Sequence, residues 1–440
     1  MEVTLYDILN ARETRVLRQQ SLLTEHRVPL LCFTMNIAGP VKTTPLIERG
    51  FRAGLEILDS RLPQDKICFR EIRILPTGCE ANYAISISAS ELKLLCSKIE
   101  DTHPLGRLFD MDVIDIDGAK LQRKTQRSCI VCGAPGRGCA ASRAHSVEEL
   151  QVITSQLLTQ YFRNRDQEII ASCAINSLID EVHTTPKPGL VDRRNNGSHN
   201  DMDLRLFEIS ARSLQSYFKM CVQIGQETAC LTPEETFSSL RQAGLEAEKT
   251  MYQATGGVNT HKGAIYTMGI LCGSIGRLWR ADAPIADIDR ILAECGKVAQ
   301  ASVKADFAAA DGSTAGQRLY LKYGLGGIRA EVAAGLPSVK GIALPCYQTA
   351  LDNGLSKNDA GVLALLHLIT HVDDTNLHHR GGSEGAHWAA RTVETFLHDH
   401  PNPTLEQLEA LDDAFIARNL SPGGCADLLA VTYFLQSLNP

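Results

Sequence analysis

Near Asp166 the pattern of the chain changes, and no other feature limits its fold as strongly. Before that point, short runs with strand-like alternation are interleaved with helical periods; beyond it the strand signal fades and helix follows helix, punctuated by glycine and proline. A chain of 440 residues also exceeds one ordinary core, at roughly 100–200 residues per domain. The expectation is a multidomain protein, with an α+β N-terminal domain over residues 1–160 and an all-α helical domain over residues 166–440. The charged segment Ser146–Arg165 joins them as helix, and no repeat of 20–50 residues points to a solenoid.

In the first part, Leu5–Leu23 reads as a helix whose apolar stripe (Leu5, Ile8, Leu9, Val16, Leu17) opposes Arg12, Arg15 and Arg18. Strands are expected at Leu30–Met35, Ile72–Leu75, Tyr83–Ile87 and Leu108–Ile116, and further helices at Thr44–Leu58 and Ala89–Glu100. In the second part, helices are expected at Asp166–Val182, Asp203–Gln226, Pro233–Tyr252, His261–Leu278, Ile285–Ala301, Gly327–Ala334, Asn358–His371, Gly385–His398 and Gly423–Leu438.

The net charge of -7 leaves no basic footprint for a nucleic-acid polymer, so any phosphate site is local. The N-terminus carries Glu2 and Asp7 without a continuous apolar core, and no run of eighteen apolar residues occurs, which argues against export and against a membrane anchor. The 14 cysteines are then read in a reducing compartment, the cytoplasm, where clustered thiols mean metal or catalysis.

Two clusters carry chemistry in the first domain. In Phe109–Asp117, period-two alternation places Asp110 and Asp112 on one face of a strand, where two carboxylates can share a Mg²⁺ ion that bridges phosphate oxygens; an acidic turn at a strand end has the same sequence. Lys98, His103 and Arg107 lie just upstream as donors, and Gly39 and Pro40 form a turn followed by Lys42, which is either a substrate contact or a surface lysine. Downstream, Cys129, Cys132, Cys139 and His145 are spaced C-x₂-C-x₆-C-x₅-H, a set that can close a structural Zn²⁺ site or stand as reduced thiols beside a solvated histidine.

The order of NIAGPVK, TGCEANY, IEDTHPLGRLFDMDVID and RSCIVCGAPGRGCAASRAHS resembles the apo-citrate lyase phosphoribosyl-dephospho-CoA transferases. That resemblance implies transfer of a phosphoribosyl-dephospho-CoA unit to a serine of the acyl carrier (gamma) subunit of citrate lyase, with release of pyrophosphate. It makes Asp110 and Asp112 the metal-binding, catalytic pair; Lys42 and Arg107 stand as candidate substrate ligands from their own positions. Ala38, Gln122 and Ala141 stand where the family pattern has proline, serine and arginine, and they carry no assignment.

Four polar blocks interrupt the helices of the second domain. In the block Thr185–Asp203, Pro186 and Pro188 hold the chain extended, so that Lys187, Asp192, Arg193, His199 and Asp201 are presented by a stiff loop. Next, Gly256 and Gly257 break a helix, Asn259 or Thr260 caps another, and His261 and Lys262 open it as an anion site. The third offers Arg329 and Glu331 after a glycine run. The fourth places Asp373, Asp374, Asn376, His379 and Arg380 after an apolar helix, where adjacent carboxylates at a helix C-terminus oppose the dipole and call for a cation.

TPKPGLVD, NTHKG, the arginine–glutamate segment, DDTN and SPGGCADLLA together resemble the triphosphoribosyl-dephospho-CoA synthases. Membership implies that ATP and dephospho-CoA combine with loss of adenine. This chemistry asks for a carboxylate near C1′ (Asp192, Asp373 or Asp374), a proton donor for adenine (His199 or His261) and cations on the triphosphate (Lys187, Lys262, Arg329, Arg380). The product of the second half is the substrate of the first. Other readings are the same chemistry serving malonate decarboxylase, or a helical metal-dependent phosphohydrolase fused to a zinc-stabilised module that presents a carrier protein.

Overall fold

The computed structural model describes residues 2–438 apart from 124, 309, 310, 313–317, 319 and 323, with the backbone alone at 137, 140, 301, 302 and 304–308. The chain forms two compact units. One runs to Arg165 and includes Ala281–Ala283; the other comprises Asp166–Arg280 and the chain from Pro284 onward.

The first unit is built on a four-stranded antiparallel sheet in the order β2-β3-β1-β4, from β1 (Leu30–Met35), β2 (Ile67–Leu75), β3 (Gly78–Ile85) and β4 (Phe109–Ile114). Alternation divides its faces. Phe33, Phe109, Met111 and Val113 are buried, Phe33 stacking on Phe51 at 4.8 Å and meeting Phe109 edge-on at 5.3 Å. Phe51 belongs to α2 (Pro45–Arg61), and the approach requires Gly54, where a Cβ would lie 2.3 Å from the Phe33 ring. Helix α3 (Ala89–Thr102) runs beside the edge strand β4 and satisfies its outward backbone: Lys93 Nζ donates to Met111 O (2.9 Å), and Glu100 Oε1 accepts from Met111 N (2.8 Å).

Helix α1 (Leu5–His26) is turned opposite to the expectation from its stripe. Leu5 and Leu17 are 75% and 67% exposed, while Arg15 and Arg18 reach the sheet to pair with Glu80 (2.7 Å) and Glu71 (3.0 Å). The buried Glu80 carboxylate is the physical reason: without a cation it would stand uncompensated inside the fold.

Beyond α4 (Gly136–Ser142), helix α5 runs unbroken over Val147–His183, so the joining segment is the first half of one long helix. Among its described residues the second unit has helices as its regular elements and no strand. The expected helix Asp203–Gln226 is two, α6 (Leu204–Ser213) and α7 (Gln215–Glu227), and is followed by α8 (Pro233–Ala254), α9 (Lys262–Leu278) and α10 (Ile288–Ala308). Helix α9 is buried on all sides and lies against α7 through glycine, a Cβ at Gly225 falling 2.0 Å from Gly273 O. Later helices span Gly327–Ala333, Leu344–Asp352, Lys357–His371, Thr375–Asp399, Leu405–Ala417 and Gly423–Leu438. The expectation missed Leu344–Asp352 and Leu405–Ala417, and it began Thr375–Asp399 ten residues late because Gly381 and Gly382 read as a break; Gly382 (φ 63°, ψ -168°) is instead a kink inside it.

Candidate active sites

In the first unit a cleft of about 1150 Å³ opens along β4. Asp110 and Asp112 face it while Phe109, Met111 and Val113 point away, as alternation requires. Asp112 pairs with Lys120; Asp110 has no partner among the described residues. Asp110 is open to the water of the cleft, yet protein walls crowd it, and burial together with Asp112 raises its pKa. Three guanidinium groups, of Arg107, Arg123 and Arg127, converge on the same space. Arg123 (3.2 Å) and Arg127 (3.6 Å) share the buried Glu100, whereas Arg107 makes no hydrogen bond or ion pair among the described residues, and burial with its two cationic neighbours lowers its pKa. Such a cluster is short of negative charge, as a polyanion site must be before its ligand arrives.

Lys42 is not in the cleft wall. Its amine donates to Ile37 O and closes its own turn. His103 is occupied by Phe109 and Tyr161, with burial holding its pKa down at about 4. Sequence reasoning missed Lys93, Glu100, Lys120, Arg123 and Arg127, because each is a charge in a polar stretch that only the fold brings together. Ala38 and Gln122, two of the positions that depart from the family pattern, also line the cleft.

Cys129, Cys132, Cys139 and His145 do come together, with one ligand atom of each within 4.8 Å of the others. The Sγ atoms of Cys132 and Cys139 are 3.4 Å apart, and His145 Nε2 is 3.3 Å from Cys132 Sγ. Backbone N–H groups of Cys132 and Val131 favour the Cys129 thiolate and lower its pKa to about 7. Across the ring, His145 Nδ1 lies 3.9 Å from Glu149, the carboxylate–histidine arrangement that supports a ligand.

In the second unit the block from Thr185 to Asp203 folds on itself. Asp192 accepts from Thr185 Oγ1 and Lys187 N on one oxygen and from Arg194 N and Asn195 N on the other, so both oxygens are committed to the loop. Lys187, 1% exposed, pairs with Glu181. His199 contacts Ser421 Oγ (2.9 Å) and accepts from Arg380 (3.0 Å), which also donates to Ser198 O (2.7 Å); burial and Arg380 lower the His199 pKa to about 4. The structure thus spends Asp192, Lys187, His199 and Arg380 on framing the block. Their polar atoms are satisfied by protein, where the sequence suggested substrate.

His261 is different. It precedes α9 with 3% exposure, its Nδ1 is 2.7 Å from Ser210 Oγ, and Ser210 accepts from Thr260 (2.6 Å). The serine proton therefore points to Nδ1 and leaves the imidazole proton on Nε2, which has no hydrogen-bond partner among the described residues. Burial and Lys187 hold its pKa at about 3, so the ring is neutral. Asn259 Oδ1 accepts from Lys262 N (3.3 Å), and Lys262 Nζ reaches Glu248 (2.8 Å).

Asp374 corrects the electrostatic expectation. The helix Lys357–His371 has already ended, and Asp374 is the N-cap of the next, accepting from Asn376 N (2.7 Å) and Cys425 N (2.8 Å), where the dipole favours a carboxylate. Asp373 remains exposed, with no hydrogen-bond or ion-pair partner among the described residues, and it lines a cleft of about 380 Å³ with Glu331, Ser338, His371 and the Gly324–Gly327 run. Glu331 accepts from Ser338 N, Arg329 lies over the Tyr266 ring at 5.6 Å, and Asn376 sits against Gly423.

Asp427, which the sequence reading passed over, lies in the second turn of the helix Gly423–Leu438 with no hydrogen-bond or ion-pair partner among the described residues. Burial, Glu181 and Asp374 raise its pKa well above the carboxylate range, and a Cβ at Gly263 would meet its Oδ2 at 1.9 Å. A carboxylate in the otherwise apolar run CADLLA was the available signal.

Two families match, in tandem. The family of ATP:dephospho-CoA triphosphoribosyl transferases covers residues 167–440, and that of apo-citrate lyase phosphoribosyl-dephospho-CoA transferases covers residues 3–161. The chain belongs to both. It is a bifunctional transferase of citrate lyase maturation, with the synthase in its C-terminal region and the transferase in its N-terminal region. Protein CitXG of Haemophilus influenzae is 39% identical over 99% of this chain and 96% of its own length, and Protein CitXG of Leuconostoc mesenteroides subsp. cremoris is 30% identical over 99% and 97%. The 2-(5''-triphosphoribosyl)-3'-dephosphocoenzyme-A synthase of Klebsiella pneumoniae is 38% identical over 61% of this chain and 91% of its own length. No helix among the described residues is long and apolar enough to cross a membrane.

Proposed function

We propose that the cleft along β4 binds the triphosphoribosyl-dephospho-CoA made by the second unit and passes its phosphoribosyl-dephospho-CoA group to a serine of the citrate lyase acyl carrier subunit. The observation that carries this is that Arg107 and Asp110, a cation and an anion both unpaired among the described residues, line one cleft. Arg107, Arg123 and Arg127 hold the outer phosphates and stabilise the departing pyrophosphate. Asp110 and Asp112 fit a Mg²⁺ ion, a hard cation suited to two carboxylates on one strand face; bound there, it would neutralise charge on the phosphates. Cys129, Cys132, Cys139 and His145 fit Zn²⁺, and a reducing cytoplasm suits three thiols held this close.

In the second unit, the reading that fits the geometry puts His261 and Asp427 beside the reacting ribose. The 2′-hydroxyl of dephospho-CoA attacks C1′ of ATP, the C1′–N9 bond breaks, and adenine leaves with the bonding pair. In its ionised form Asp427 takes the hydroxyl proton, and neutral His261 donates a hydrogen bond from Nε2 to the departing base, which takes up a proton from water and is released as neutral adenine. Lys262 and Arg329 attract the triphosphate, while Asp373, Glu331 and Asn376 line or border its approach.

Incubation with ATP, dephospho-CoA, Mg²⁺ and the apo carrier subunit, followed by mass spectrometry, tests both halves. Free adenine and a carrier serine bearing the phosphoribosyl-dephospho-CoA mass are expected. Release of phosphate without adenine would overturn the synthase assignment, and adenine with an unmodified carrier would overturn the transferase assignment.

A further inference from the structure

The wall of the transferase cleft contains a stretch that its own packing does not hold. Between Val113 and Leu158 no apolar side chain is buried among the described residues. Regular structure there is confined to two isolated bridges, the seven-residue α4 and the start of α5. Yet this stretch supplies Lys120, Arg123 and Arg127 to the cleft. A segment with so little apolar burial needs another cross-link to keep one conformation.

The Cys129, Cys132, Cys139 and His145 cluster is placed to be that cross-link. Its separations of 3.4 Å (sulfur to sulfur) and 3.3 Å (nitrogen to sulfur) approach the edges of a tetrahedron with bonds of about 2.3 Å to sulfur and 2.0 Å to nitrogen. Arg127 is two residues from Cys129, and its carbonyl accepts from Gly136 N (2.8 Å) across the same turn. From there a chain of contacts leads to the aspartates. Arg127 and Arg123 neutralise Glu100, and Glu100 accepts from the backbone of Met111, between Asp110 and Asp112.

We propose that a zinc ion held by these four residues fixes Arg123 and Arg127 on Glu100, so that its occupancy governs the transfer step and leaves triphosphoribosyl synthesis unaffected. This rests on the zinc reading above and adds a role to it. One chain carries both activities, so the second is an internal control for folding.

The test uses the full chain, with triphosphoribosyl-dephospho-CoA supplied directly for transfer and adenine release measured separately. Zinc per chain, proteolytic nicking within residues 115–146, and both activities are followed in the native protein, after chelation, and in Cys132→Ser and Cys132→His. Expected are one zinc per native chain and, in the chelated and serine forms, loss of zinc, new cleavage and transfer reduced on the order of a hundredfold, with adenine release within about twofold. Zinc added back to the chelated protein, or histidine as the ligand, restores transfer. If zinc is bound but its removal leaves transfer and cleavage unchanged, the positioning role is overturned while the site stands. If the native chain binds no zinc, the site itself is overturned.

Discussion

At the scale of residues, the assignments turn on which polar atoms the fold leaves unsatisfied. Asp110→Asn removes the unpaired charge in the transferase cleft, and we expect carrier modification to fall by roughly a hundredfold or more with adenine release intact, read by mass spectrometry of the carrier and chromatography of the base. Asp427→Asn should lose adenine release, since the amide accepts no proton, while still modifying the carrier from triphosphoribosyl-dephospho-CoA supplied directly; normal adenine release from that variant would remove Asp427 from the reaction. The histidines set an acid limit. His103 and His199 are held at about 4 and His261 at about 3, below the ordinary 6.5, so the unfolded chain takes up protons that the folded chain refuses. Stability is therefore complete above pH 6.5 and lost as the pH falls toward those lower values, by on the order of 1–2 kcal/mol per histidine between pH 7 and 5. Denaturant unfolding at pH 7 and 5 measures it, and His199→Gln should flatten the dependence. Sequence reasoning nominated His261 and the Asp110–Asp112 pair because motif and alternation expose them. It had no means to see that Asp192 and Arg380 are consumed by their own frame.

At the scale of elements, close approach decides what the loops can do. Helix α9 begins at Lys262 with Gly263 pressed against Asp427, so Gly263→Ala must displace a carboxylate or the helix end. We expect that variant to keep its helical circular dichroism and lose adenine release by at least tenfold, because a shift of about 1 Å at a reacting group is costly. The buried Lys187–Glu181 pair joins the end of α5 to the block that follows it. Lys187→Met leaves Glu181 as a lone buried charge and should cost about 3–5 kcal/mol in denaturant unfolding; Lys187→Met with Glu181→Leu should recover most of that loss. Most helices and strands were legible as periods in the sequence. The orientation of α1 was not: its apolar stripe is exposed, and its arginines are drawn inward by Glu71 and Glu80, which lie more than fifty residues away.

At the scale of the whole molecule, two activities share one chain, and the product of one is the substrate of the other. We expect the intact chain to modify the carrier at nanomolar concentration with little free triphosphoribosyl-dephospho-CoA, and an equimolar mixture of single-activity variants, Asp110→Asn and Asp427→Asn, to accumulate it. Equal flux from the mixture at high dilution would show that tethering confers no advantage. The sequence by itself determined the change from mixed to helical architecture near Asp166, the alternation that puts two aspartates on one strand face, and the motifs of both families, because periodicity and local composition are properties of neighbouring residues. Only the tertiary structure decided which charges are free. Arg107, Arg123, Arg127 and Glu100 meet in one cleft, Asp427 is brought against Gly263, and Asp192 is closed off by its own loop, because partnership in space depends on contacts between residues far apart in the chain.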